Sequence, residues 1–195
     1  MFNDMNIAIR PENPLAILKP EKEPRRYTLS EYIRKEERSN ELHEYYDGII
    51  TKLPMAKTPH NIISANITAE LVFAFRTNNL DYTVLANQQL VYLPKLNFSV
   101  YPDVLVVCET PQHYDKNQVL LINPVLIVEV LSKSTGKYDR TTKFDEYKTL
   151  DSFQEYVLIN QKKCSVEIRF REEPGLWREK VYTNINDKIL LKSVN

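Results

Sequence analysis

Two apolar runs, Val104-Leu105-Val106-Val107 and Ile127-Val128-Glu129-Val130-Leu131, are rich in Val, Leu and Ile and read as adjacent, largely buried β-strands. Each brings a carboxylate with it: Asp103 stands between Pro102 and the first run, and Glu129 lies inside the second. An ionised carboxylate in or beside a buried strand is costly unless something pairs with it, and a divalent cation held between two such groups offsets that cost. The pair is therefore a candidate metal-binding site. The competing reading is that both acids merely cap a helix or pair with a surface Lys or Arg, because structural networks also perturb acids.

The chain has 195 residues, 43% of them hydrophobic, which suits one domain with a full core. Its 26 basic residues cancel its 26 acidic ones, so no global field recruits nucleic acid or a membrane surface, and polyanion binding has to rest on a local patch. Cys108 and Cys164 both fall in β-like apolar stretches and outside any metal-ligand spacing. They are expected to be buried free thiols in a reducing cytosol. No apolar run reaches the length of a membrane span, and the first residues lack a charged-then-apolar signal pattern, so a soluble cytoplasmic protein is expected.

Residues 1 to about 25 hold Pro11, Pro14, Pro20 and Pro24 among alternating charges and are expected to form a flexible or loosely docked arm, leaving 26 to 195 as the domain. Thr28-Leu29-Ser30-Glu31 fits a capping box that opens a short helix through about Arg38. Asp47-Gly48 predicts a hairpin between His43 and Met55. Ile63, Ile67, Leu71 and Phe75, with Ile62 and Val72 widening the stripe, predict a helix over about 60 to 78. Strands are expected at 82–86, 88–93, 103–108 and 125–131, then a helix from Asp139 to about Leu150, then strands at 155–159, 165–171 and 177–182. None of the three glycines falls in a phosphate-loop spacing.

This order, with its Pro-Asp and Glu-Val-Leu-Ser elements, resembles the PD-(D/E)XK nuclease superfamily, and more closely its Uma-two family of restriction-endonuclease-like bacterial proteins. The resemblance covers roughly residues 27 to 170. Glu44-Tyr45-Tyr46-Asp47-Gly48 is similar to the family's acidic element ending in Asp-Gly, and His60 stands where the family starts a helix with histidine. Pro102-Asp103-Val104 and Val128-Glu129-Val130-Leu131-Ser132 are similar to its two acid-bearing strands. Ser134-Thr135, Asp139, Lys143 and Tyr147 resemble the residues that run from loop into helix. One departure concerns the superfamily pattern, in which a lysine follows the second acid by two residues. That position is Leu131 here, as in the Uma-two family, and the resemblance passes the lysine role to Lys143.

The resemblance implies an α+β, restriction-endonuclease-like fold with a mixed central sheet flanked by helices. It also implies metal-assisted phosphodiester hydrolysis on nucleic acid, DNA first. Asp103 and Glu129 would ligate Mg²⁺ or Mn²⁺, and Lys143 would orient or help deprotonate water, or act as a point charge. Glu44 would complete the metal shell or hold a coordinated water. Each residue has a plainer role beside this one. Glu44 suits an exposed hairpin, Asp47 a turn, and His60 a helix start as well as a phosphate. Asp139 suits a helix dipole, Ser132 a cap, and Lys143 a solvated helix face. His43 and His113 are expected to be surface or structural residues. Lys137, Arg140 and Lys143 form a local basic edge, and strand edges after residue 155 suit a homodimer. Two other readings fit the same residues: a weak or inactive module of this fold that binds nucleic acid or a protein partner, and an enzyme acting on a small phosphorylated or carboxylated substrate.

Overall fold

The computed structural model describes residues 25–86, 88–133 and 135–194; the Pro-rich arm and Ser134 lie outside the described residues. Thr28 opens α1 (Leu29–Glu36) with a complete capping box, in which its hydroxyl accepts from the Glu31 N–H at 3.2 Å and the Glu31 carboxylate accepts from the Thr28 N–H at 2.8 Å. Asp47 and Gly48, at φ 41° and 93°, then turn β1 (His43–Tyr46) into β2 (Ile49–Lys52), as Asp-Gly predicts.

Helix α2 (Thr58–Thr77) buries Ser64, Leu71 and Phe75 along one side, while Ile62 is 54% exposed and does not widen the stripe. Strands β3 (Thr83–Ala86), β4 (Leu90–Leu93), β5 (Phe98–Val100), β6 (Val104–Val107), β7 (Leu120–Leu121) and β8 (Leu126–Leu131) follow. Next come the short helices α3 (Gly136–Arg140) and α4 (Thr142–Tyr147), then β9 (Glu155–Asn160), β10 (Val166–Glu173) and β11 (Leu176–Tyr182).

The strands divide between two sheets where the sequence suggests one. Their orders are β2-β1-β5-β4-β7 and β11-β10-β9-β8-β6-β3. Pairing is antiparallel except for β8 with β9 and β4 with β7. The very short β5 and β7 carry too little period to stand out in sequence, yet they complete the first sheet.

The two-residue period of the strands sorts the core into layers. In β6, Val104 and Val106 face α2 with Leu126, Val128, Leu71 and Phe75, whereas Leu105 and Val107 face the first sheet with Ile127, Leu131, Val91 and Val100. On the far side of the first sheet, Tyr45, Leu90, Tyr92 and Leu120 pack against Tyr32 of α1. The order is thus α1, sheet, sheet, α2. The central strands are covered on both faces, which is why β4, β6 and β8 are buried along their whole length, whereas the outer β2, β10 and β11 are partly exposed.

Two local expectations change, and one is narrowed. The helix predicted from Asp139 to Leu150 is broken at Thr141, where φ −118° and ψ −87° separate α3 from α4; the adjacent β-branched Thr141 and Thr142 are poor helix formers. Cys164 is exposed because it falls in the turn between β9 and β10, and Cys108 is half-buried. His43 is structural: it is buried, and its Nδ1 lies 2.9 Å from a Glu36 carboxylate oxygen.

Gly48 offers a direct test of the hairpin. A Cβ there would meet Arg26 Cβ at 3.1 Å in a backbone region that L residues rarely adopt. Gly48→Ala is expected to cost about 1 kcal/mol or more of stability, read as a lower urea midpoint at unchanged m-value. An unchanged midpoint would refute this account of the turn.

Candidate active site

The register of β6 on β8 assembles the site. Val104 pairs with Val128, so one step further along the ladder sets Asp103 beside Glu129. The Val130 N–H donates to Asp103 Oδ2 at 2.7 Å, tying the loop carboxylate to the neighbouring strand. By the same two-residue alternation, Glu129 shares the side of β8 that carries Ile127 and Leu131, the side facing the other sheet. On β1, Tyr45 packs toward α1, so Glu44 takes the opposite face and turns inward as well.

Short α4 supplies the cation. Lys143 and Tyr147 are one turn apart and share a face. Lys143 Nζ lies 2.7 Å from Glu129 Oε1, and the Tyr147 hydroxyl donates to that same oxygen at 2.9 Å. The side chains of Lys143 and Glu129 are 7% and 6% exposed, so this ion pair is screened little by water. Lys143 therefore reaches Glu129 from the helix after the strand and is not a solvated helix lysine. From the other side, the first turn of α2 delivers His60, whose Nε2 lies 3.1 Å from Asp103 Oδ2.

Asp139 is buried in α3, next to Lys143 in charge and bonded to the Thr135 side chain, and so belongs to this cluster instead of an exposed helix start. The Tyr156 hydroxyl donates to the Asp139 carbonyl at 3.0 Å. Ser132 braces the turn into α3: its Oγ lies 2.9 Å from Thr135 Oγ1 and accepts from the Thr135 N–H at 3.1 Å. Asp47, by contrast, serves the hairpin and accepts from Arg26 at 3.1 Å. The basic edge expected from Lys137, Arg140 and Lys143 is not free. Arg140 is committed to Glu167 at 2.7 Å, and Lys143 is buried on Glu129.

Charge in the cluster is unbalanced. Burial pushes Glu129 up to about 8 against the pull of Lys143, with Asp103 and Asp139 adding to the rise. Burial also raises Glu44 and Asp139, in both cases opposed by Lys143. For Lys143, burial works to strip the proton, but Glu129, Glu44 and Asp139 outweigh it and hold the ammonium above its ordinary value. Four carboxyl groups thus crowd around one ammonium and one imidazole, and a divalent cation would stabilise their ionised forms.

The donor set fits in kind. Asp103 and Glu129 each commit one oxygen to the bonds above, and carboxylate oxygens are the hard ligands that Mg²⁺ or Mn²⁺ prefers. Among the described residues no three His, Cys, Asp or Glu side chains converge tightly enough to hold an ion alone, so water and phosphate oxygens would complete the shell. Tyr156, Tyr138 and Glu146 are harder to find by sequence. The Tyr138 hydroxyl donates to Glu146 at 3.0 Å, and both neighbour Glu44 or Lys143 in charge. The spacing of Glu146 and Tyr147, three and four residues beyond Lys143, is the one signal that marks them as sharing its helical face.

His60 provides a pH test. The hydrogen bond to Asp103 is the main cause that raises its pKa above the ordinary histidine value, with burial working the other way. A raised folded-state value means that the stabilisation is complete below about pH 6.5 and is lost as pH rises through the folded value. His60 is expected to titrate above 6.5 by NMR and to drop toward it in Asp103→Asn. A His60 value at or below 6.5 would contradict the contact.

Residues 29–194 match the model of the Uma2 family, described as "putative restriction endonuclease", so the match runs past residue 170 and includes β10 and β11. The chain is 33% identical to the uncharacterized protein sll1609 of Synechocystis over 134 residues, covering 69% of this chain and 75% of that one. It is 29% identical to the uncharacterized protein slr1290 of the same organism over 188 residues, covering 96% and 92%. A solved structure from Anabaena variabilis, described as a "putative nuclease belonging to DUF820", shares the fold at a TM-score of 0.68 and 17% identity, covering 86% of this chain and 90% of that one. The chain belongs to the Uma2 family.

Proposed function

We propose that this protein is a metal-dependent endonuclease that hydrolyses phosphodiester bonds in DNA. One observation carries the reading: the buried contact of Lys143 with Glu129, on the strand beside Asp103, in a cluster whose carboxylates outnumber its cations. Membership of a family whose description is "putative restriction endonuclease" supports the same chemistry.

In this reading Asp103 and Glu129 would hold Mg²⁺ or Mn²⁺. The bound cation would acidify the attacking water and offset charge developing on the phosphate. His60 and the Val130 N–H orient Asp103, and Tyr147 orients Glu129. Lys143, held protonated by three carboxylates, is suited to act as a point charge on the anionic transition state and not as the base that takes a proton. Glu44, raised by burial, is the group suited to hold the attacking water and accept its proton. Asp139 helps keep Lys143 charged. A second copy pairing along the β11 edge of the described sheet would bring two such sites into one assembly, as cutting both strands of a duplex requires. No helix among the described residues is long and apolar enough to cross a membrane.

Purified protein is expected to nick supercoiled plasmid with Mg²⁺ or Mn²⁺ and not with EDTA. Asp103→Ala and Glu129→Ala should lose the activity by about a hundredfold or more, and Lys143→Met by a similar factor. Lys143→Arg should retain part of it if the positive charge is what acts. If folded wild-type protein cleaves neither plasmid nor single-stranded DNA better than its Asp103→Ala variant, the enzyme reading fails and the module that binds without cutting takes its place.

A further inference from the structure

On the outer face of α1, away from the carboxylate cluster, lies an open groove of about 560 Å³ lined by Arg25, Tyr27, Glu31, Arg34, Lys35, Arg38 and Ser39. Four of these are cations and one is an acid. That acid is already engaged: Glu31 closes the capping box with Thr28 and lies 3.4 Å from Arg25. The other acids nearby are also occupied or displaced. Glu36 turns inward to His43 and Tyr101, Glu41 pairs with Lys52, Asp47 pairs with Arg26, and Glu37 lies off the groove. Arg34, Lys35 and Arg38 are exposed and enter none of the ion pairs among the described residues.

The position of the groove follows from the layering. Positions 31, 34 and 35 share one helical face, away from the Tyr32 and Glu36 side that docks on β1, and Arg38 follows in the turn just past the helix end. At the mouth, the Arg25 guanidinium lies 4.6 Å over the Tyr27 ring, a planar cation beside an aromatic surface. In a chain of zero net charge, this concentration of uncompensated cations around a groove fits an extended polyanion, and the stacked Arg–Tyr pair fits one that carries bases.

We propose that the α1 groove is an anchoring site for the sugar-phosphate backbone of nucleic acid flanking the cleaved bond. Its choice of partner rests on the function proposed above, but its location does not. β1 lies between groove and cluster, with Tyr45 facing α1 and Glu44 facing inward, so the groove holds flanking nucleotides and not the reacting phosphate.

The test is fluorescence anisotropy of labelled single- and double-stranded oligonucleotides with the full chain in EDTA, across a salt series. Wild type is compared with Arg34→Gln/Lys35→Gln/Arg38→Gln. Because Arg34 and Lys35 also favour the helix dipole, urea midpoints are measured beside binding, with Arg34→Lys/Arg38→Lys as a variant that keeps the charge. The triple variant is expected to bind about tenfold to a hundredfold more weakly. The slope of log affinity against log salt should fall by about 2, the loss of three phosphate contacts on a single strand, while the charge-keeping variant stays near wild type. No binding by wild type, or a triple variant within twofold of wild type in affinity and slope, overturns the groove. Loss of binding in the triple variant while wild type fails to cleave would keep the groove and sink the nuclease. Unchanged binding beside active cleavage would do the reverse.

Discussion

The pairing of β6 with β8 is the constraint on which the rest depends. Both strands are buried on two faces, so their alternation assigns Val104, Val106 and Val128 to α2 and Leu105, Val107 and Ile127 to the facing sheet. The same register aligns the two carboxylates at the end of the ladder. A slip of one residue would move Glu129 from the polar cluster to the apolar face under α2 and exchange every core contact of the strand. Packing and chemistry are therefore fixed by a single choice of register.

Burial of the cluster is costly, and the neighbouring elements are arranged to limit that cost. Lys143 cannot stand two residues after Glu129 on the strand, because Leu131 fills that place in the core between the sheets. A turn braced by Ser132 and Thr135 leads into α3 and α4, which bring the ammonium back over Glu129 with Tyr147 beside it. The break at Thr141 gives this crossing its bend. Breaking a buried pair by removing one partner leaves an uncompensated charge, so Lys143 carries structural weight beside the chemical role proposed for it. The aromatic set of Phe144, Tyr147, Phe153 and Tyr156 packs around the same helix, with Phe144 and Tyr156 stacked at 5.5 Å. Small shifts in α4 are thus resisted by the core itself.

Family membership and fold place this chain among nuclease-like proteins, while its relatives sll1609 and slr1290 are described as uncharacterized. Fold by itself does not decide activity, because function lives in the groups grafted on it. Here the proposed groups are an acid pair on neighbouring strands, a buried lysine from the following helix, and a histidine from the helix on the other side. The acidic surplus of the interior and the basic groove of α1 are separated by one layer of sheet, so a net charge of zero conceals two opposed local fields.

The sequence by itself determined the elements whose signals are local. The Thr28–Glu31 capping box, the Asp47–Gly48 turn and the apolar runs around Asp103 and Glu129 all form where their residues direct, because caps, turns and strand periods depend on neighbours a few positions away. Asp103 and Glu129 could be named as candidates from type and position, and Lys143 from the family resemblance. Only the tertiary structure decided that the strands split into two sheets and that Cys164 falls in an exposed turn. It alone also decided that Arg140 is spent on Glu167 and that His60 touches Asp103. These are contacts between residues 27 to 43 positions apart in the chain, set by which faces are left to bury once the local elements exist, and no period or spacing in one sequence encodes them.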